Sequence, residues 1–206
     1  MKLKLTILSF LLLGLLGFGQ SKKQSGFLDD YSLLQDSNAN KTMLSYVSSD
    51  FERGKYKRFM LDDITIQFHK KAKGVKIKVD KLKELTDLFK NEIISQLEQE
   101  YELVDTPADD VALLQIAITD IVPGKVISNI LPFSVAINSA TGRGKGGASL
   151  EMKVVDSQTG QLLGQAMDNR KNRGYVETFS KFGNARAVFK YWAELLKERI
   201  DHYKNQ

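Results

Sequence analysis

Three adjacent acidic pairs, Asp29–Asp30, Asp62–Asp63 and Asp109–Asp110, are the first residues here that could do chemistry. Two carboxylates converging in a cleft can share acid–base work. Neighbours on an extended chain point to opposite faces, so these pairs do not converge by themselves, and caps or turns are the roles expected of them. His69 and His202 lie in polar settings beside Lys70 and Asp201. Neither belongs to an H-x-x-x-H or H-E-x-x-H pattern. Both are expected to face solvent, His202 near a helix end where a cation suits the dipole. Residues 142–147, Gly-Arg-Gly-Lys-Gly-Gly, spell G-x-G-x-x-G. A dinucleotide site needs that pattern to open a helix, whose N-terminus holds the pyrophosphate. Here an alternating, strand-like segment follows, so a flexible loop between strands is expected. There is no P-loop motif, no G-x-S-x-G elbow and no cysteine. The reading is therefore no catalytic residue, no metal site and no cofactor.

The charge pattern says more than the motifs. Among the 206 residues, with formal net charge +5, residues 53–83 hold eleven Lys or Arg against three Asp. Residues 84–120 hold one Lys against ten Asp or Glu. A segment of +8 beside one of −9 gives either a dipolar surface, contacts between copies, or neutralisation within one fold. Lys70, Lys71, Lys73, Lys76 and Lys78, with Arg143 and Lys145 of the glycine loop, form the candidate interaction surface. It suits an anionic lipid or polysaccharide. Nucleic acid is disfavoured, because no aromatics interleave with the basic run.

The elements that must position these residues follow from periodicity. Ile64, Ile66 and Phe68 alternate with polar residues, which predicts a half-buried strand over 59–68. Residues 75–79 alternate as a short strand or extended lead-in. Leu82, Leu85, Phe89, Ile93, Leu97 and Tyr101 recur at spacings of three and four, predicting a long helix over about 80–100 capped by Asp80. Residues 101–104 read as a brief strand and 111–122 as a central one. Residues 126–142 carry no charge and contain Pro132. They read as a buried strand plus loop, or as an exposed apolar patch. Ala148, Leu150, Met152 and Val154 alternate inward. Asp156, Thr159 and Gly160 mark a hairpin turn, with Asp closing it and Gly free to take positive φ. A return strand over 161–167 and a polar, irregular stretch over 168–183 follow. A second helix over about 185–203, with Asn184 as cap, carries Phe189, Trp192, Ala193, Leu196, Ile200 and Tyr203 on one face. The order predicts an α+β domain over 27–206, with a mixed or antiparallel sheet of about four to six strands packed by the two helices.

The N-terminus reads as an address. Lys2 and Lys4 precede an apolar run over 5–16, with Gly17 and Gly19 at the small-residue sites. This is the layout of a secretory signal peptide cleaved before Gln20, and the run is shorter than a membrane span requires. Residues 20–26 then form a flexible linker, and 27–34 a short helix turn or extended arm.

Three stretches carry a resemblance. They are Gly26-Phe27-Leu28-Asp29-Asp30-Tyr31-Ser32-Leu33-Leu34, then Ala117-Ile118-Thr119-Asp120-Ile121-Val122-Pro123, then Val155-Asp156-Ser157-Gln158-Thr159-Gly160 followed by Leu163. In order and spacing they resemble the bacterial envelope-protein family catalogued as domain of unknown function 3313. The segment from Tyr56 to Ile64 and the pair Trp192-Ala193 fall where that family places its first strand and last helix. Asp62-Asp63-Ile64 lacks the proline usual there. Many members look like lipoproteins, whereas this chain has no lipobox Cys and hence no lipid anchor through one. More distantly, the topology is similar to the periplasmic domain of curli-secretion channel lipoproteins. The resemblance implies an exported protein of the periplasm or outer membrane, without assigned function. The expected role is a non-catalytic binding or assembly module with an envelope partner or a second copy of itself. The alternatives are a secretion-type ring component and a hydrolase with an unrecognised site.

Overall fold

The computed structural model describes residues 23–37, 42–124, 146–171 and 181–204. It is an α+β fold with one mixed sheet and two long helices. The strands are β1 (Gln35–Asp36), β2 (Met43–Val47), β3 (Arg58–Leu61), β4 (Thr65–Ile66), β5 (Glu102–Leu103), β6 (Val111–Val122), β7 (Gly147–Asp156) and β8 (Leu162–Lys171). The helices are α1 (Val79–Leu97) and α2 (Gly183–Lys204). The sheet runs β1-β2-β8-β7-β6-β3-β5, with β4 also on β6. From β6 to β1 every pairing is antiparallel. β3, β4 and β5 join in parallel through the crossover helix α1.

Eight strands exceed the four to six expected from sequence. The excess comes from the two-residue strands β1, β4 and β5, which are too short to show a period of two. The strand expected over 59–68 is split into β3 and β4, both parallel to β6. Between them Asp62 accepts from Gln115 Nε2 at 2.9 Å and Asp63 from Lys90 Nζ at 2.6 Å. The lead-in to α1 is a 3-10 turn over Gly74–Lys76, not a strand. Lys78 occupies the cap position, and Asp80 lies in the first turn, where a carboxylate still suits the dipole. Asn184 likewise falls inside α2, which begins at Gly183. β8 runs on to Lys171, so the polar stretch after 167 begins as strand rather than irregular chain. The uncharged segment 126–142 lies outside the described residues, except that its preceding strand β6 ends at Val122.

Both helices pack on one sheet face and on each other. Leu85, Phe89, Ile93 and Leu97 form the buried stripe of α1. Phe89 stacks on Phe189 of α2, centroids 4.8 Å apart and planes 15° apart, with Trp192 alongside. Beneath them Ala112, Leu114, Ile116 and Ile118 line the inner face of β6. A bulge between Ile118 and Asp120 breaks the register. The extra residue lets Ile121 rejoin the core and sets Asp120 beside the 69–76 segment.

Candidate functional site

The C-terminal half of α2 does not close tightly on the sheet. Small residues explain the gap: Gly164 and Ala166 on β8, Ser45 on β2 and Ala112 on β6 leave room that larger side chains would fill. The result is a cavity of about 170 Å³ opening to the surface. Leu114, Leu150, Met152 and Val154 form its floor, and Trp192, Leu196 and Ile200 its roof. The 48–57 loop walls one side, where Phe51 stacks on Tyr56 and meets the edge of Tyr203 at 5.6 Å. Among the described residues no carboxylate lines the cavity, and the charged side chains there are Arg199 and Lys204.

The buried polar groups are spent on structure. Glu151 of β7 is completely buried. Its Oε1 accepts from Ser25 N–H at 2.8 Å, and its Oε2 from Ser25 Oγ at 2.8 Å and Tyr31 OH at 2.6 Å. Burial, then the bond to Glu151, raises the Tyr31 phenol above its ordinary pKa. The same arm is held by Gln165 Nε2 donating to the Asp30 carbonyl and by Lys153 pairing with Asp29. Asp30 caps the 3-10 turn Tyr31–Leu33. Asp156 Oδ1 accepts from the backbone N–H of Gln158 and of Thr159 and from Thr159 Oγ1. Its Oδ2 accepts from Tyr56 OH at 2.9 Å. The Thr159 N–H first, with Tyr56 and Gln158, holds this carboxyl far below the usual carboxylate range against the opposing effect of burial. Gly160 completes the turn at φ +72°.

Asp168 is buried under Trp192 Nε1 at 2.9 Å and Arg170 Nε at 3.1 Å, and the Arg170 guanidinium lies 3.9 Å from the Tyr191 ring centre. Asp120 accepts from the backbone N–H of Lys73 and Gly74. His69 is buried against it, contrary to the exposed setting expected, because the basic loop folds back onto β6. His69 Nδ1 accepts from Lys71 N–H at 3.0 Å, and Nε2 lies 3.6 Å from Asp120 Oδ2. Burial lowers its pKa below the ordinary histidine value. Among the described residues no group of His, Cys, Asp or Glu could hold a metal ion.

The model of a family described as "Protein of unknown function (DUF3313)" matches residues 23–196. The chain belongs to the DUF3313 family. No curated protein matches it. Among solved structures it is similar to the PelC dodecamer from Paraburkholderia phytofirmans, at 7% identity and TM-score 0.42, over 74% of this chain and 96% of that one. It is also similar to a DUF330-family protein from Xanthomonas campestris, at 8% identity and TM-score 0.45, over 78% and 91%. A DUF4136-family protein from Bacteroides thetaiotaomicron shares 11% identity at TM-score 0.35, over 80% and 98%. At these scores the reading of function rests on the residues of this DUF3313 member.

Its sequence motifs serve the scaffold. The Gly26–Leu34 stretch is the arm that Glu151 holds, and the Asp156–Gly160 stretch is the hairpin turn. Lys70, Lys71, Lys73, Lys76 and Lys78 are all exposed on the loop before α1, with no ion pair among the described residues. Arg143 and Lys145 lie outside the described residues. Gly147 of the G-x-G-x-x-G match opens β7, a strand, as the loop reading expects. Among the described residues α1 and α2 are too short in apolar sequence to cross a membrane. Part of the opposed charge is neutralised internally, through Arg58–Asp110, Lys81–Glu84, Lys83–Asp87 and Lys90–Asp63. Sequence reasoning missed Glu151, which sits at a strand position of polar phase, and Asp168, which shares the inner phase of Gly164 and Ala166 opposite Leu150, and it missed the cavity. The run of small residues Gly164 and Ala166 on a strand was the available signal.

Proposed function

We propose that this DUF3313 protein is an exported, non-catalytic envelope module that binds an apolar ligand between α2 and its sheet. The observation that carries this reading is the open apolar cavity, whose floor and roof are aliphatic and aromatic and whose lining contains no acid among the described residues. Ligand sites are typically concave and mostly apolar, with a few polar groups fixing orientation. An acid–base enzyme would bring titratable side chains together in the cleft. Here Asp120, Asp156, Asp168 and Glu151 are each engaged by backbone or side-chain donors, and none of the four lines it. The layout of residues 1–19, Lys2 and Lys4 before an apolar run that ends at Gly17 and Gly19, supports export.

Two measurements test this reading. Titration with the neutral fluorophore N-phenylnaphthylamine should show saturable binding of one probe per chain, lost in Leu195→Trp, which fills the cavity from α2. Absence of saturable binding, or binding indifferent to Leu195→Trp, contradicts the ligand site. N-terminal sequencing of the protein recovered from the envelope should begin at Gln20, and recovery of the intact Met1 terminus contradicts processing.

A further inference from the structure

Arg199 sets the chemistry of the cavity's mouth. It lies on the last turns of α2, one turn from Leu196 and Tyr203 of the same lining. Arg199 is half-buried, yet among the described residues it has no carboxylate partner, and its guanidinium donates to Ser37 Oγ at 3.2 Å, beside β1 at one edge of the sheet. Lys204, five residues on, reaches the other side of the helix, over the Tyr101 ring, 5.1 Å from its centre. Lys197 is taken by Glu100 and Asp201, both at 2.7 Å.

We infer that the cavity takes a single-chain amphiphile with an anionic head: an alkyl chain enters over Met152 and Trp192, and its carboxylate or phosphate meets Arg199. This deepens, and rests on, the apolar-ligand reading above. Size agrees with it. A cavity near 150 Å³ holds a benzene-sized apolar group, so about 170 Å³ buries the end of one alkyl chain and leaves the head at the opening. Charge agrees as well. A planar guanidinium matches a carboxylate or phosphate in a bidentate geometry. A cationic head would meet a like charge, and a neutral one would leave Arg199 without a counter-ion.

The test is calorimetric titration of the protein with octanoate, octyl phosphate and octanol, which share a chain and differ in head. The two anions are expected to bind roughly tenfold more tightly than octanol, the scale of one charge-assisted contact. In Arg199→Gln that advantage should vanish while octanol binding is unchanged. Arg199 is half-buried, and unaltered octanol binding reports that the fold is intact. Which anion binds more tightly separates carboxylate from phosphate heads. Equal affinity for octanol and the anions overturns the inference and leaves the apolar-ligand reading standing. Failure of all three, together with failure of N-phenylnaphthylamine, overturns both.

Discussion

Tyr31 donates a 2.6 Å hydrogen bond to Glu151, tying the N-terminal arm to the middle of a central strand 120 residues away. Glu151 is fully buried, so its carboxylate depends on the arm for its donors. A buried charge stripped of a donor is expensive. Tyr31→Phe should therefore lower the unfolding free energy by about 1.5–3 kcal/mol, the range for bonds to charged groups. Urea unfolding checks this. A loss under about 0.5 kcal/mol, the scale of a surface substitution, contradicts it.

Asp156 joins the β7–β8 turn to the loop that walls the cavity, through Tyr56. Its folded pKa is depressed, so the unfolded chain binds the extra proton in acid. The stability it contributes is present above the unfolded carboxylate value of about 3.9 and is lost as pH falls below that toward the folded value. Asp156→Ala should cost about 2–3 kcal/mol at neutral pH and flatten the acid limb of the stability curve. Unfolding curves from neutral to strongly acidic pH test this, and an acid limb unchanged by the substitution rejects it.

His69 makes a second, separate pH window. Its folded pKa is also lowered, chiefly by burial. The unfolded state takes up a proton below about pH 6.5 that the folded state resists, so stability falls as pH drops through that point, by at most about 1.4 kcal/mol per pH unit. His69→Gln should remove this slope while Asp156→Ala leaves it. Matching slopes in wild type and His69→Gln between pH 7 and 5 would show that His69 is not buried neutral.

Gly146 has no room for a side chain. A Cβ there would lie 2.7 Å from the Val122 carbonyl oxygen and 2.8 Å from Gly124 N, both backbone. Since backbone cannot swing aside as a side chain can, Gly146→Ala should cost about 1–3 kcal/mol and loosen the β6–β7 pairing at Val122 and Gly147. Amide exchange at Val122 read beside Gly54→Ala, whose Cβ meets nothing within 4 Å, measures this. Equal protection in wild type and Gly146→Ala contradicts it.

Both helices were legible in sequence because Leu85, Phe89, Ile93 and Leu97, and Phe189, Trp192 and Leu196, repeat at helical spacing. The central strands and the Asp156 turn were legible for the same reason: their signal is local. Two-residue strands such as β4 and β5 are defined only by the partner they pair with, so no periodicity announces them. His69 looked exposed because its sequence neighbours are lysines, yet the chain reverses there and packs the imidazole under Asp120. Glu151 shares the polar phase of Ser149 and Lys153, and only an arm arriving from far upstream makes that face an interior. The cavity was hidden most deeply. It is the space left between small residues on β2, β6 and β8 and the last turns of α2, and a gap of this kind belongs to no single segment.

The most direct test of the ligand site is intermolecular nuclear Overhauser contact between a bound alkyl chain and the cavity walls. With octanol added to the isotope-labelled protein, cross-peaks are predicted from the chain to the Met152 methyl, the Leu150 methyls and the Trp192 ring, and none to Phe89 or Ile93 beneath α1. Contacts confined to the exposed 70–78 loop, or no cross-peaks at saturating octanol, would contradict the account.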